Sequence, residues 1–308
     1  MEASITLKAV AKKYKSNIVL ADLSFGVEKG TTFVIIGESG SGKSTLLKIL
    51  VGLIERNAGT AYIHGKDIET RWKETRSITG YLPQISNLDE ELNIFENLTV
   101  YAQLHGLSSQ MAKQKAILWS EKLHFKSVLM EMPQTLSFGT QRKICFARAL
   151  IHDPEVILLD EPTTGLDPVS RATIWKILDG YRNKKTILFV TQNFEEAERF
   201  SDRIAILHHR NIKMNGTLDR LIETTHGLTR YHLTFLETPP DKLMDELKDF
   251  PKVVRPSLNG KDLEFYSRER QQFFNVLQIA LKYGLQDIDT SMCQLRDLFT
   301  GLTDGGLE

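Results

Sequence analysis

Two short stretches hold the residue types that could do chemistry. The first is GESGSGKST, residues 37–45, with three glycines, a lysine and several hydroxyls on one loop. Gly37, Gly40 and Gly42 let the backbone turn so that its N–H groups point inward and cradle a phosphate chain. Glu38, Ser39 and Ser41 lie between those glycines in the same cradle. Lys43 is expected to reach the terminal phosphates, and the Ser44 hydroxyl to ligate Mg²⁺; Thr45 follows at the helix start, where the helix N-terminus favours negative charge. The second stretch is VILLDE, residues 156–161, an apolar run ending in two carboxylates. Asp160 is placed to hold Mg²⁺ through its water shell, and Glu161 to polarise a water as general base. Such a pair alone is often just a strand-end cap. Beside a phosphate loop it reads as machinery for transferring a phosphoryl group to water.

The elements that must position these residues are legible from patterning. TTFVIIG (31–37) is a continuous apolar run, the mark of a strand buried on both faces. STLLKILVGL (44–53) follows with helical periodicity. EVILLD (155–160) and KTILFV (185–190) are two further buried strands, with a helix at WKILDGY (175–181) between them. Strands alternating with helices predict an α/β core with a mainly parallel sheet; carrying this phosphate loop, it resembles the P-loop NTPase (RecA-like) class. Residues 1–30 read as short strand-like pieces. Between Gln84 and Leu150 the segments NIFENLTVYAQLHGL, SQMAKQKAILWSEKL and QRKICFARALI all read as helices, which predicts a helical subdomain over about 85–150. After residue 225 the order is β-α-β-β-α-β, with Asn259-Gly260 as a hairpin turn. This predicts a small ferredoxin-like α+β module over 226–308, following a first domain over 1–225.

Composition narrows the class. The 308 residues carry 39 basic and 39 acidic side chains, so net charge favours neither nucleic acid nor an acidic tail. Cys145 and Cys293 are far apart and imply neither a disulfide framework nor a metal site. MEASITLKAV lacks the apolar h-region expected of a secretory leader, and no apolar run approaches the roughly 20 residues of a spanning helix. If the protein acts on a membrane, another chain is expected to supply the spans.

The order of motifs resembles the ATP-binding cassette (ABC) ATPases over about residues 5–222. LSFGTQRKICFARAL (136–150) is similar to that family's signature segment. Around it stand Tyr14, the phosphate loop, Gln84 in YLPQ, VILLDEP and GLDP (165–168) in the family's order. The resemblance implies ATP and Mg²⁺ as ligands. It further implies that Tyr14 stacks on adenine and that Gln84 completes the Mg²⁺ shell and senses the γ-phosphate. Ser137, Phe138, Gly139 and Thr140 would meet ATP bound to a second subunit, and Asp167 would cross the dimer interface. Two departures lie in the signature: the family usually has glycine where Phe138 stands and often glutamine where Thr140 stands.

A third departure is in TILFVTQNFEEA (186–197), where Gln192 occupies the position of the family's switch histidine, followed by Asn193 in place of the usual aspartate. A glutamine amide can donate to a γ-phosphate oxygen or orient a water, but it carries no charge and shuttles no proton. Hydrolysis that is real but slowed is therefore expected, carried by Glu161 and assisted by Gln192 and Gln84.

A single ATP-binding half with no spans and a C-terminal extension resembles the ATPase subunits of ABC-2-type exporters. The expected partners are a transmembrane permease and a second copy of the chain, with a heterodimer left open; no nucleic acid is expected. The expected location is cytoplasmic, peripheral at the inner membrane face through the permease. The segment ISNLDEELNIFENL (85–98) is expected to receive the permease, through Ile85, Leu88, Leu92, Ile94 and Phe95. Alternatives are an ATP-gated scaffold in nucleic-acid or translation processes and an importer ATPase.

Overall fold

The computed structural model describes residues 3–223, 228–240, 242–248, 250, 253–292 and 294–303. The chain divides into two compact units, residues 1–215 and 216–308. Their boundary lies after Asn215, where the sequence suggested a boundary after residue 225.

The first unit is built on a six-stranded sheet ordered Asn211–Gly216, Arg203–His208, Thr32–Ile36, Thr186–Thr191, Val156–Asp160, Thr79–Leu82. The pairings from Arg203–His208 through to Thr79–Leu82 are all parallel. The three strands expected from continuous apolar runs are its middle, each buried at every position. Covered on both faces, such strands need no polar alternation.

A second sheet is antiparallel, ordered Asn17–Glu28, Ala3–Tyr14, Ala58–Ile63, Lys66–Asp67. Its first two strands are 12 residues each, longer than the short pieces their sequence suggests. The pairing slips register at several points, and Ala9 and Asp22 adopt positive φ. Bulges of this kind break the period-two alternation by which a strand is recognised. The two sheets share one apolar core with the Lys43–Leu50 helix: Leu7, Leu23 and Phe25 meet Phe33, Ile35, Leu46 and Leu50, and Phe25 stacks on Phe33 at 5.3 Å.

The expected helices between residues 85 and 150 form at Ile94–Leu104, Ser109–Lys122 and Phe138–Leu150. Asn93 and Glu96 close a capping box on the first. Trp119 meets Phe146 edge-on at 6.3 Å and ties the second to the third.

The second unit contains a four-stranded antiparallel sheet ordered Val254–Asn259, Asp262–Ser267, Thr229–Phe235, Leu285–Met292. Helices Lys242–Lys248 and Arg270–Ala280 complete the interleaved β-α-β-β-α-β order, as expected of a ferredoxin-like module. Its core gathers Leu233, Phe235, Leu243, Leu263, Phe265 and Val276, with Tyr231 stacked between Phe265 and Phe273. Among the described residues no helix is long and apolar enough to cross a membrane.

Candidate nucleotide site

Parallel registration assembles the site. Ile36 pairs with Thr191, Asp160 with Val190, and Leu82 with Leu159. The residues just beyond those strand ends therefore share one edge of the sheet: the phosphate loop, Glu161, Gln192 and Gln84. Open α/β sheets bind ligands at this carboxyl edge. A cavity of about 210 Å³ lies there. Ser39, Gly40, Gly42, Lys43, Ser44 and Thr45 line one side, and Gln84, Asp160, Glu161 and Gln192 line the rest, with Val19 from the second sheet.

The loop's shape needs its glycines. Gly42 sits at φ 106°, and a Cβ there would come 2.6 Å from Leu20 Cδ2. A Cβ on Gly37 would come 2.5 Å from the Leu207 carbonyl oxygen. Lys43 opens the Lys43–Leu50 helix and donates from Nζ to the carbonyls of Gly37 (2.6 Å) and Glu38 (2.8 Å). Burial pulls its ammonium below the ordinary lysine value, against the opposing charges of Glu161, Asp160 and Glu38.

Asp160 is 1 % exposed, and burial raises its carboxyl above the ordinary range. The Ser44 hydroxyl offsets that rise, while the charge of Glu161 adds to it. Neither carboxylate oxygen has a hydrogen bond of ordinary geometry, so the Ser44 contact is a loose one. Two orphaned buried carboxylate oxygens beside a hydroxyl form a hard-oxygen donor set, and this fits Mg²⁺.

Glu161 follows its strand in the left-handed region, φ 50°, a costly backbone state for a side-chain-bearing residue. Its N–H donates to Val190 O at 2.9 Å. Its Oε2 accepts from the hydroxyls of Thr164 and Thr191, each at 3.3 Å. Its Oε1 is buried and has no partner. The carboxylate is thus held by one oxygen, while the other is buried without a partner, and the residue lines the same cavity as the phosphate loop.

The remaining candidates lie apart from this cavity. Tyr14 ends the Ala3–Tyr14 strand, 46 % exposed, with Lys12 Nζ 4.9 Å from its ring centroid. Ser137 caps the Phe138–Leu150 helix, accepting from Thr140 N–H at 3.3 Å, and its hydroxyl pairs with that of Thr140 at 3.0 Å. Phe138 is the first helical residue, so its position does not need a glycine's backbone freedom. Gly139 follows on the same turn. Asp167 caps the Pro168–Asp179 helix through the N–H groups of Val169 and Ser170. Asn193 does the same for Phe194–Phe200 through the Glu196 N–H at 3.2 Å. Of the apolar positions proposed to face a permease, Leu88 and Ile94 are buried in the protein, Leu92 and Phe95 are half-buried, and Ile85 is 76 % exposed.

Sequence reasoning missed Arg142. This side chain, 3 % exposed, donates to four carbonyls: Pro83 and Gln84 on one side, Asp160 and Glu161 on the other. It joins the signature helix to the glutamine loop and to both acidic residues. Its helical spacing from Cys145, Phe146 and Ala149 was the available signal, because those residues define the buried face.

A parallel sheet edge carrying a glycine-rich loop, a buried lysine and two strand-end carboxylates defines an α/β nucleotide triphosphatase. The ABC transporter family profile matches residues 20–164. The chain is 32% identical over 308 residues, 100% of its length and 99% of the relative's, to the Nod factor export ATP-binding protein I of Rhizobium sp. (strain N33). It is 35% identical over 265 residues, 86% of each chain, to the protein of that name from Burkholderia orbicola (strain AU 1054). Among solved structures, an ATP-binding subunit of an ABC transporter superposes with TM-score 0.68 at 29% identity, over 72% of this chain and 93% of that one. A dimeric ATP-binding cassette in a post-hydrolysis state bound to ADP and Pi superposes with TM-score 0.65 at 27% identity, over 70% of this chain and 98% of that one. The chain belongs to the ABC transporter family and is an ATPase subunit of it.

Proposed function

We propose that this chain is the ATPase subunit of an exporter, acting as a dimer on a separate membrane-spanning permease at the cytoplasmic face of the membrane. The export direction rests on relatives described as export ATP-binding proteins, and the dimer on the dimeric cassette of similar fold. The observation that carries the catalytic reading is Glu161: one carboxylate oxygen held by two threonines, the other buried without a partner, on a residue that lines one cavity with Lys43, Ser44 and Asp160.

The phosphate loop binds the triphosphate through its backbone N–H groups, with Lys43 exchanging its carbonyl contacts for phosphate oxygens. Ser44 and Asp160 would hold Mg²⁺, with Gln84 lining the same cavity, and the ion would supply charge neutralisation at the phosphates. Glu161 Oε1 takes a proton from the attacking water as that water meets the γ-phosphorus. Gln192 donates its amide N–H to the γ-phosphate and cannot take up charge, so turnover is slower than a histidine would allow. Tyr14 stacks on the base. Ser137 and Gly139 meet the nucleotide of the opposite subunit, beside Phe138 and Thr140, and Asp167 lies across the same interface. Closing on two nucleotides supplies the free energy that shifts the permease between states. The exposed Ile85, directly after Gln84, is the assigned permease contact. The second unit, residues 216–308, is assigned as an accessory module for dimer or permease contact.

Glu161→Gln tests the reading. Turnover is expected to fall by about 10²–10⁴, the usual contribution of a general base, with ATP affinity retained. Undiminished turnover overturns the assignment of Glu161. Co-purification of the chain with a multi-span membrane protein tests the permease.

A further inference from the structure

Behind Glu161 lies a second buried carboxylate that the reaction described above does not use. Glu196, in the Phe194–Phe200 helix, is 6 % exposed. Thr163 Oγ1 donates to its Oε1. Its Oε2 lies 3.5 Å from Thr191 Oγ1, the same hydroxyl that lies 3.3 Å from Glu161 Oε2. Thr191 is fully buried, and its oxygen also accepts the Asn193 N–H at 3.0 Å.

A threonine hydroxyl has one hydrogen and two acceptor lone pairs. It cannot donate to both glutamates at once. If Glu196 is ionised, its Oε2 competes with Glu161 for that hydrogen. If Glu196 is protonated, its own O–H donates to the Thr191 oxygen, whose second lone pair is free beside the Asn193 bond. The Thr191 hydrogen is then committed to Glu161 Oε2, and Oε1 stays without a partner.

We propose that Glu196 is a positioning residue for hydrolysis: its proton sets the direction of the Thr191 hydroxyl, and so decides whether Glu161 is held by two hydroxyls or by Thr164 alone. This inference rests on Glu161 being the general base.

The surroundings of Glu196 favour its protonated form. Burial raises its carboxyl above the ordinary glutamate value, Thr163, Arg171 and Trp175 oppose the rise, and the charge of Glu161 adds to it. A cavity of about 400 Å³ lined by Glu196, Asn193 and Trp175 lets the proton exchange with water. Arg171, Lys176 and Asp179 face that cavity from the Pro168–Asp179 helix, and Glu195 and Arg199 from the residue's own helix.

The test uses the full chain and MgATP, with kcat and KM measured across pH. Thr191→Val, nearly isosteric, is expected to lower kcat about tenfold, the effect of one net hydrogen bond, with KM within about twofold. Thr191→Ser is expected to restore kcat. Glu196→Gln donates a permanent N–H to Thr191, and so is expected to keep kcat and to remove the descending limb expected of the wild type as Glu196 ionises. If Glu161→Gln abolishes turnover but Thr191→Val leaves kcat unchanged, or Glu196→Gln leaves that limb in place, the positioning role is overturned. If Glu161→Gln leaves turnover intact, the general-base reading falls instead, and this inference with it.

Discussion

The Phe138 ring lies directly over Gly165. A Cβ built on Gly165 would stand 2.5 Å from Phe138 Cε1 and 2.6 Å from Cδ1. The first residue of the signature helix is thereby packed on the loop that leads to Asp167. Gly165 itself sits at φ 76°, where a side chain costs roughly 1–2 kcal/mol.

Gly165→Ala is therefore expected to destabilise the protein twice over, through backbone strain and through the clash with Phe138. Phe138→Gly removes the clash together with the ring's packing on this loop, and adds the cost of a glycine in the first helical turn. In a double-mutant cycle read by urea unfolding, the pair should be less damaging than the sum of the two, by about 0.5–3 kcal/mol. Strict additivity would mean that the ring does not hold this loop.

Arg142 makes a second prediction. Its fork donates to four carbonyls, of which that of Glu161 also accepts the Thr164 N–H, and those of Asp160 and Glu161 lie in a buried setting. Arg142→Lys keeps the charge and loses the fork. Each stranded acceptor costs about 1–3 kcal/mol, so unfolding free energy should fall by at least that much. Turnover should fall as well, because Gln84 and Glu161 lose their common tether. ATP affinity, set by the phosphate loop, should change less than kcat.

Gln192→His should raise turnover and introduce a pH limb near the ordinary histidine value of about 6.5. A fall in turnover would show that the geometry around Gln192 suits only an amide. The measurement is kcat against pH for the two proteins side by side.

His152 predicts acid sensitivity of the fold. Its ring stacks obliquely on that of His105, with centroids 4.0 Å apart and planes tilted by 32°, and its Nε2 faces the Thr79 carbonyl at 3.3 Å. Burial, then the neighbouring His105, depress its pKa from 6.5 to about 3. The unfolded chain binds a proton there below about pH 6.5, and the folded chain does not. Stability is thus full above that value and declines as pH falls toward the folded pKa, by at most about 1.4 kcal/mol per pH unit. His152→Phe keeps a ring in the stack and removes the proton site. Between about pH 7 and about pH 5 its melting temperature should fall less than that of the wild type. Parallel declines would exclude His152 as a cause.

What sequence by itself determined is what is contiguous along the chain. The loop from Gly37 to Thr45 is assigned to bind phosphate through neighbouring backbone N–H groups, so its spacing would be its mechanism. The strands at Thr32–Ile36, Val156–Asp160 and Thr186–Thr191 declared themselves because burial on both faces demands unbroken apolar runs. The β-α-β-β-α-β order of the second unit was legible from alternation, from Asn259-Gly260 and from helix-length apolar stripes. The paired strands of residues 3–28 were not, because their bulges erase the alternation.

Tertiary structure decided everything that depends on which distant groups meet. Only strand registration puts Gln192, Gln84 and Glu161 around one cavity. Ile85, Leu88 and Ile94 look alike in sequence, yet only Ile85 is exposed, because packing selects which apolar side chains face water. The four carbonyls of Arg142 come from two segments, one 58–59 residues before it and the other 18–19 after it. The hydroxyl shared by Glu161 and Glu196 lies 30 residues from one and five from the other. Hydrogen bonds are short and directional, and sequence spacing does not encode them across such separations.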